Sequence, residues 1–180
     1  MKIKQIRLYL MYYFFLGFVR LVQRFQRLYL KFYKHEKQMP FINSSFSDSD
    51  DVTYIALITR YLINRCTYSD KDNPDYIQEP EFFLKKRFGN CNDFAACGMG
   101  FLKTYRPWID AKLMIVYAPD WRGHCVCLVD AVQGYIHCSN WGLDINPYPT
   151  HESAATSVRS DWNYFVIIDK NYNLQKVVIR

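Results

Sequence analysis

Residues 89–105 read GNCNDFAACGMGFLKTY, and the reading of this stretch organises the rest of the chain. Gly89 breaks the preceding segment. Asn90 is a good helix N-cap, and Asp93 three residues on suits the positive end of a helix dipole. A helix from Cys91 to about Tyr105 is expected. Its small residues Ala95, Ala96, Gly98 and Gly100 let neighbouring backbone approach. Each Gly weakens a helix by about 1 kcal/mol relative to Ala, so two of them point to tight packing around it. Cys91 falls in the first turn, where the dipole and the exposed N–H groups favour thiolate, and its own N–H points where an oxyanion would form. Position alone leaves two readings open, a nucleophile and an ordinary buried thiol.

Upstream, Asp48, Ser49 or Asp50 can cap a helix over roughly 51–65. A loop follows at 67–78. Glu79-Pro80-Glu81 opens a short helix, with Pro80 in a tolerated first-turn position, and Gly89 is expected to end it. Downstream of Pro107 the pattern turns to β-type runs over 112–118, 124–130, 135–139, 164–169 and 174–179, with hairpin turns at 132–134 and 169–173. The stretch 142–162 reads as loop. Helices followed by antiparallel strands predict an α+β fold with segregated layers.

Six cysteines, at 66, 91, 97, 125, 127 and 138, show no dense disulfide spacing and no CxxC pair. A zinc site drawn from His124, Cys125, Cys127, His137 and Cys138 is disfavoured, because strand alternation spreads those side chains over both faces. No metal or cofactor is expected. A thiolate nucleophile needs a proton acceptor and a group to orient it. His35 and His151 lack supporting context, and His137 is a reserve. His124 opens a strong strand, and Asn140 ends the next one. Adjacent antiparallel strands would bring that pair together, giving Cys91, His124 and Asn140 as candidate catalytic residues.

These residues resemble a known family. Tyr68-Ser69-Asp70, Glu79-Pro80-Glu81-Phe82-Phe83-Leu84 and Gly89-Asn90-Cys91-Asn92-Asp93-Phe94-Ala95 are similar to the transglutaminase-like superfamily of papain-like cysteine hydrolases, and most similar to its bacterial cysteine peptidases. The usual nucleophile motif there is Gly-Asp-Cys-x-Asp-aromatic-Ala, and this chain has Asn90 where Asp is common. The family's histidine motif corresponds to His124-Cys125-Val126-Cys127-Leu128-Val129, and its third residue, usually Asp, to Asn140. A one-residue shift would put Ser139 there, and Asp144 is a further candidate. The resemblance spans roughly residues 50–145. It implies a papain-like fold and a peptidase or amidase, with transamidation open. Gln78 is a candidate second oxyanion donor, and Trp141 a shield for His124. A protein or peptide substrate and a bacterial or phage source are implied on the same terms. A non-catalytic binding module of the same fold is the alternative.

The first 40 residues lie outside the resemblance. They hold nine Lys/Arg against one acid (Glu36), while the rest of the chain is near neutral with 14 against 16. That asymmetry, on a chain of 180 residues that is 50% hydrophobic, excludes global disorder and a uniformly basic nucleic-acid binder. The uncharged run 8–19 is short of the ~20 residues that span a bilayer, and a signal-type cleavage site is missing. A helix over Ile3–Tyr33 is expected, with Leu8, Met11, Phe15, Phe18, Val22, Phe25 and Tyr29 as its apolar stripe. Residues 1–37 would pack on their own domain, lie on an anionic membrane or fill a partner's groove. The expected division is a basic arm at 1–45, ending in a linker at 38–51, and a hydrolase domain at 46–180. Free-looking cysteines favour a reducing interior.

Overall fold

A computed structural model describes residues 3–32, 49–69 and 77–180. Most of the expected linker, His35 and much of the loop at 67–78 lie outside the described residues. The elements are α1 (Ile3–Phe32), α2 (Asp51–Arg65), β1 (Thr67–Tyr68), α3 (Pro80–Lys86), β2 (Phe88–Gly89), α4 (Cys91–Tyr105), β3 (Ala111–Tyr117), β4 (Gly123–Ala131), β5 (Gly134–Ser139), β6 (Gly142–Tyr148), α5 (His151–Val158), β7 (Tyr164–Ile168) and β8 (Leu174–Ile179).

The fold is α+β. Strands β3–β8 form one antiparallel sheet in the order β6-β5-β4-β3-β7-β8, and β1 pairs with β2 in a short parallel ladder. Strand alternation sorts the sheet into two cores. Leu113, Ile115, Cys125, Cys127, Val129 and Cys138 face α1, α2 and α4. Met114, Val116, Val126, Leu128, Phe165 and Ile167 face α5 through Ala154, Ala155 and Val158.

Local sequence explains most boundaries. The Asp50 carboxylate accepts from Thr53 N at 2.9 Å and starts α2. Helix α3 begins at Pro80 and ends before Arg87, whose φ of 58° supplies the left-handed stop. Gly89 was the expected terminator; it is instead in β2, with its hydrogens against the Asp93 carboxylate. The β4–β5 hairpin needs Gly134, which has φ +134° and would drive a Cβ to 2.5 Å from Tyr148 O.

Two expectations are corrected. The stretch 142–162 is not loop, since it contains β6 and α5. Asp144, Asn146 and Pro147 are poor strand formers, which an edge strand tolerates, and Thr150 with Ser153 forms the capping box that opens α5. Helix α1 packs on the body, but with a different stripe from the expected one. Its buried residues are Leu8, Tyr12, Leu16, Val19, Gln23 and Gln26, while Met11, Phe18, Phe25 and Tyr29 are exposed. The reason lies in the polar pair. Gln23 Nε2 reaches Ile77 O and Gln78 O, both at 3.3 Å, and Gln26 Oε1 accepts from Glu79 N at 2.7 Å. Two glutamines meet a backbone segment whose polar groups need partners, and that sets the rotation of the helix.

Helix α4 lies on β4 and β5 with Gly98 against the sheet. A Cβ there would sit 3.8 Å from Cys127 Cβ and Cys138 Sγ, an ordinary contact, so the glycine is not demanded by crowding. Gly98→Ala is therefore expected to stabilise the protein, by about 0.5–1 kcal/mol through helix propensity. A lower denaturant midpoint for the variant would mean that α4 sits closer to the sheet than this.

Candidate active site

The start of α4 is held by a closed polar network. Asn90 and Asp93 form a reciprocal capping box. Asp93 Oδ2 accepts from Asn90 N at 2.9 Å and from Gln78 Nε2 at 2.8 Å, while its Oδ1 accepts from Gln78 N at 2.8 Å. The second Gln78 Nε2 hydrogen goes to Phe88 O at 3.1 Å. Burial pushes the Asp93 carboxyl above the usual carboxylate range, against the pull of these donors toward the charged form. Asp93 thus caps the helix. Gln78, expected as an oxyanion donor, has both amide hydrogens committed to this cap, so its part is to position α4. Nothing in the local sequence marks that role, because the contact spans 15 residues.

Cys91 is the first residue of α4 and is half-buried; the other five cysteines are buried. Burial raises the thiols of Cys97 and Cys125, and takes that of Cys66 to about 11, which suits small hydrophobes. Cys91 packs against the core that contains Cys125 of β4.

His124 is the second residue of β4 and is buried. Continuing the β4–β5 register, in which Cys127 faces Cys138, places Cys125 opposite Asn140 and His124 opposite Trp141. The contact agrees: the His124 and Trp141 rings stack at 3.5 Å between centroids and 3° between planes. Trp141 keeps its outer face in solvent. By alternation Asn140 continues the β5 series of Ile136 and Cys138 toward α4, while His124 heads the opposite series at the open end of its strand. Cys91 and Asn140 thus lie on the α4 side near Cys125, while His124 with Trp141 heads the opposite series at the same end of the sheet.

The competing third residues separate. Asn140 Oδ1 is buried and has no hydrogen-bond partner among the described residues. Ser139 Oγ accepts from Trp141 N at 3.1 Å and belongs to the turn. The Asp144 carboxylate accepts from Tyr148 OH and Asn146 and faces His137 across the sheet. Trp121 sits edge-on against Tyr164 at 5.7 Å. No cluster of three or more metal-ligating side chains occurs among the described residues.

His137, the reserve histidine, is on the other face of the sheet. Its Nε2 lies 2.8 Å from Ser157 Oγ and 3.7 Å from Asp144 Oδ2. Ser157 Oγ donates to Ala154 O at 2.8 Å, so it accepts from His137 Nε2–H, and the serine has no base to activate it. Burial lowers the His137 pKa from the ordinary 6.5, with Asp144 opposing, and His151 is lowered too, again chiefly by burial. As pH falls through about 6.5 the unfolded chain takes up protons before the folded one, so stability drops. Thermal melts from neutral pH down to about pH 5 are expected to show a falling midpoint. His137→Gln, which keeps a donor to Ser157, should flatten the slope; an unchanged slope would remove His137 from the explanation.

No protein-family model matches the sequence, and no curated protein matches it. Among solved structures, the chain is similar to LapG of Legionella pneumophila (EGTA-treated), with 12% identity and a TM-score of 0.56 over 90% of this chain and 85% of LapG. A putative cysteine protease from Cytophaga hutchinsonii aligns at 16% identity and a TM-score of 0.48 over 80% of this chain, which spans about half of that protein. The α+β topology and the LapG likeness agree on one architecture: the chain has a transglutaminase-like fold.

Proposed function

We propose that the chain is a cysteine-dependent acyl-transfer enzyme, a peptidase or amidase acting on an amide or isopeptide bond of a protein or peptide. The observation that carries this reading is Cys91 itself. It is the one cysteine of six that is not fully buried, and it stands at the capped start of α4, the helix packed on β4, whose second residue is His124. In this reading Cys91 Sγ attacks the carbonyl carbon and His124 accepts the thiol proton. The oxyanion is taken by the Cys91 N–H, at the positive end of α4, and one further donor. His124 then protonates the leaving amine, and the acyl-enzyme is released by water, or by an amine in transamidation. Asn140 Oδ1, buried and without a partner at rest, is the acceptor that a small turn of the His124 ring would meet, and this contact would fix the ring for catalysis. Trp141, flat on His124, keeps water off the ring.

Alkylation by iodoacetamide near neutral pH, read by peptide mass spectrometry, is expected to modify Cys91 first and faster than the other five thiols. His124→Ala should slow it by removing the base that supports thiolate. Equal labelling of all six cysteines in the folded chain would instead favour the non-catalytic binding module.

Turnover of a peptide substrate found by library screening distinguishes the third residue. Cys91→Ala and His124→Ala should each lose on the order of 10³-fold in kcat. Asn140→Ala should lose about 10–100-fold through misorientation of the ring, and Asn140→Asp less. Ser139→Ala and Asp144→Asn should leave kcat near wild type. If Asp144→Asn is the damaging change, the assignment of Asn140 is wrong.

A further inference from the structure

Helix α1 carries a second apolar stripe that the body does not cover. Leu10, Phe14, Phe18, Leu21, Phe25 and Leu28 are each at least half exposed. At 100° per residue they fall roughly opposite the buried row of Leu8, Tyr12, Leu16 and Val19. Arg20, Arg24, Arg27 and Lys31 lie between the two rows on one flank. No Asp or Glu occurs anywhere in Ile3–Phe32. On that flank Arg20, Arg24 and Arg27 join Lys103 of α4 around a cavity of about 200 Å³, also lined by Gln23, Asn171 and Tyr172. Arg20 is anchored to Tyr172 O and Asn173 Oδ1, both at 2.6 Å, and Lys103 to Lys170 O and Asn171 Oδ1, both at 3.0 Å. Arg27 meets Glu79 at 3.5 Å, and the Asp169 carboxylate accepts from Asn171 N at 2.8 Å and Asn173 Nδ2 at 3.0 Å behind the cluster. Arg20, Arg27 and Lys103 are held in place by these contacts, and the guanidinium groups leave N–H donors to spare.

We propose that α1 docks this protein on an anionic phospholipid surface, with the outer stripe at the acyl boundary and the Arg20–Arg24–Arg27–Lys103 cavity receiving a phosphate headgroup. Charge selects this occupant. A second copy would present the same acid-free helix, whereas anionic lipid supplies the missing negative charge next to an apolar layer. By length and composition α1 could also cross a membrane. Crossing would pull Leu8, Tyr12, Leu16 and Val19 from the core and strand Gln23 and Gln26, so the helix lies in the plane of the surface.

The test is co-sedimentation of the full chain with vesicles of phosphatidylcholine alone or with roughly one-third phosphatidylglycerol. Binding is expected on the anionic vesicles, weakening as salt rises from about 0.1 M to about 0.5 M. Arg24→Glu with Lys31→Glu should lower partitioning by about fivefold or more per cation. Phe14→Glu, Phe18→Glu and Phe25→Glu combined should abolish it, with circular dichroism reporting the fold; the single variants Leu10→Glu and Leu28→Glu serve if the triple variant does not fold. Cys91→Ala should bind as wild type, which separates this surface from catalysis. Equal partitioning of wild type and variants, or a dimer in sedimentation equilibrium that the Phe variants dissolve without any vesicle binding, would overturn the proposal. So would release by inorganic phosphate at matched ionic strength, since the cavity would then serve a free anion.

Discussion

One buried carboxylate holds the candidate site together. Asp93 receives three N–H donors, two of them from Gln78, and so joins the entry to α3, strand β2 and the start of α4 at a single point. A carboxylate in apolar surroundings is costly unless fully hydrogen-bonded, so the network tolerates little displacement. Gly89 takes part by lacking a side chain, since a Cβ there would overlap the carboxylate. The direction of α4, and with it the placement of Cys91, follows from this knot.

The network extends to the first helix. Gln23 and Gln26 satisfy the backbone of residues 77–79, the segment that presents Gln78 to Asp93. A chain of hydrogen bonds therefore runs from the C-terminal third of α1 through Gln78 and Asp93 to Asn90, next to Cys91. The basic arm is a wall of the core on one side and an apolar, cationic surface on the other. Its two glutamines look like ordinary polar residues of an exposed helix, yet they are among its most buried.

What was legible in the sequence was what is decided locally. Asn90 and Asp93 fix the start of α4 within four residues, and the helix keeps the expected bounds. The strands after Pro107 carry strong apolar runs and lie within a residue or so of their expected spans. Edge strand β6 was lost because Asp144, Asn146 and Pro147 mask it, and α5 because Thr150 and Ser153 resemble loop residues until Ala154 and Ala155 are seen packing beneath the sheet. The rotation of α1 could not be read, since apolar residues occupy two sides of it and the choice is made by backbone 54 residues away. Likewise Ser139, Asn140 and Asp144 were indistinguishable by spacing; only their hydrogen bonds in the folded sheet separate them.

The pairing of α1 with the last strand has a consequence for the order of events during synthesis. Gln5 Nε2 bonds to Val177 O at 3.1 Å, and Tyr9 OH accepts from Val177 N at 3.3 Å. The helix is translated first, but this berth exists only once β8 has been made and paired. At ordinary elongation rates the interval is roughly 10–30 s. Throughout it both apolar stripes of α1 face the outside, so the nascent chain is at its most adhesive before its candidate nucleophile has been built into anything.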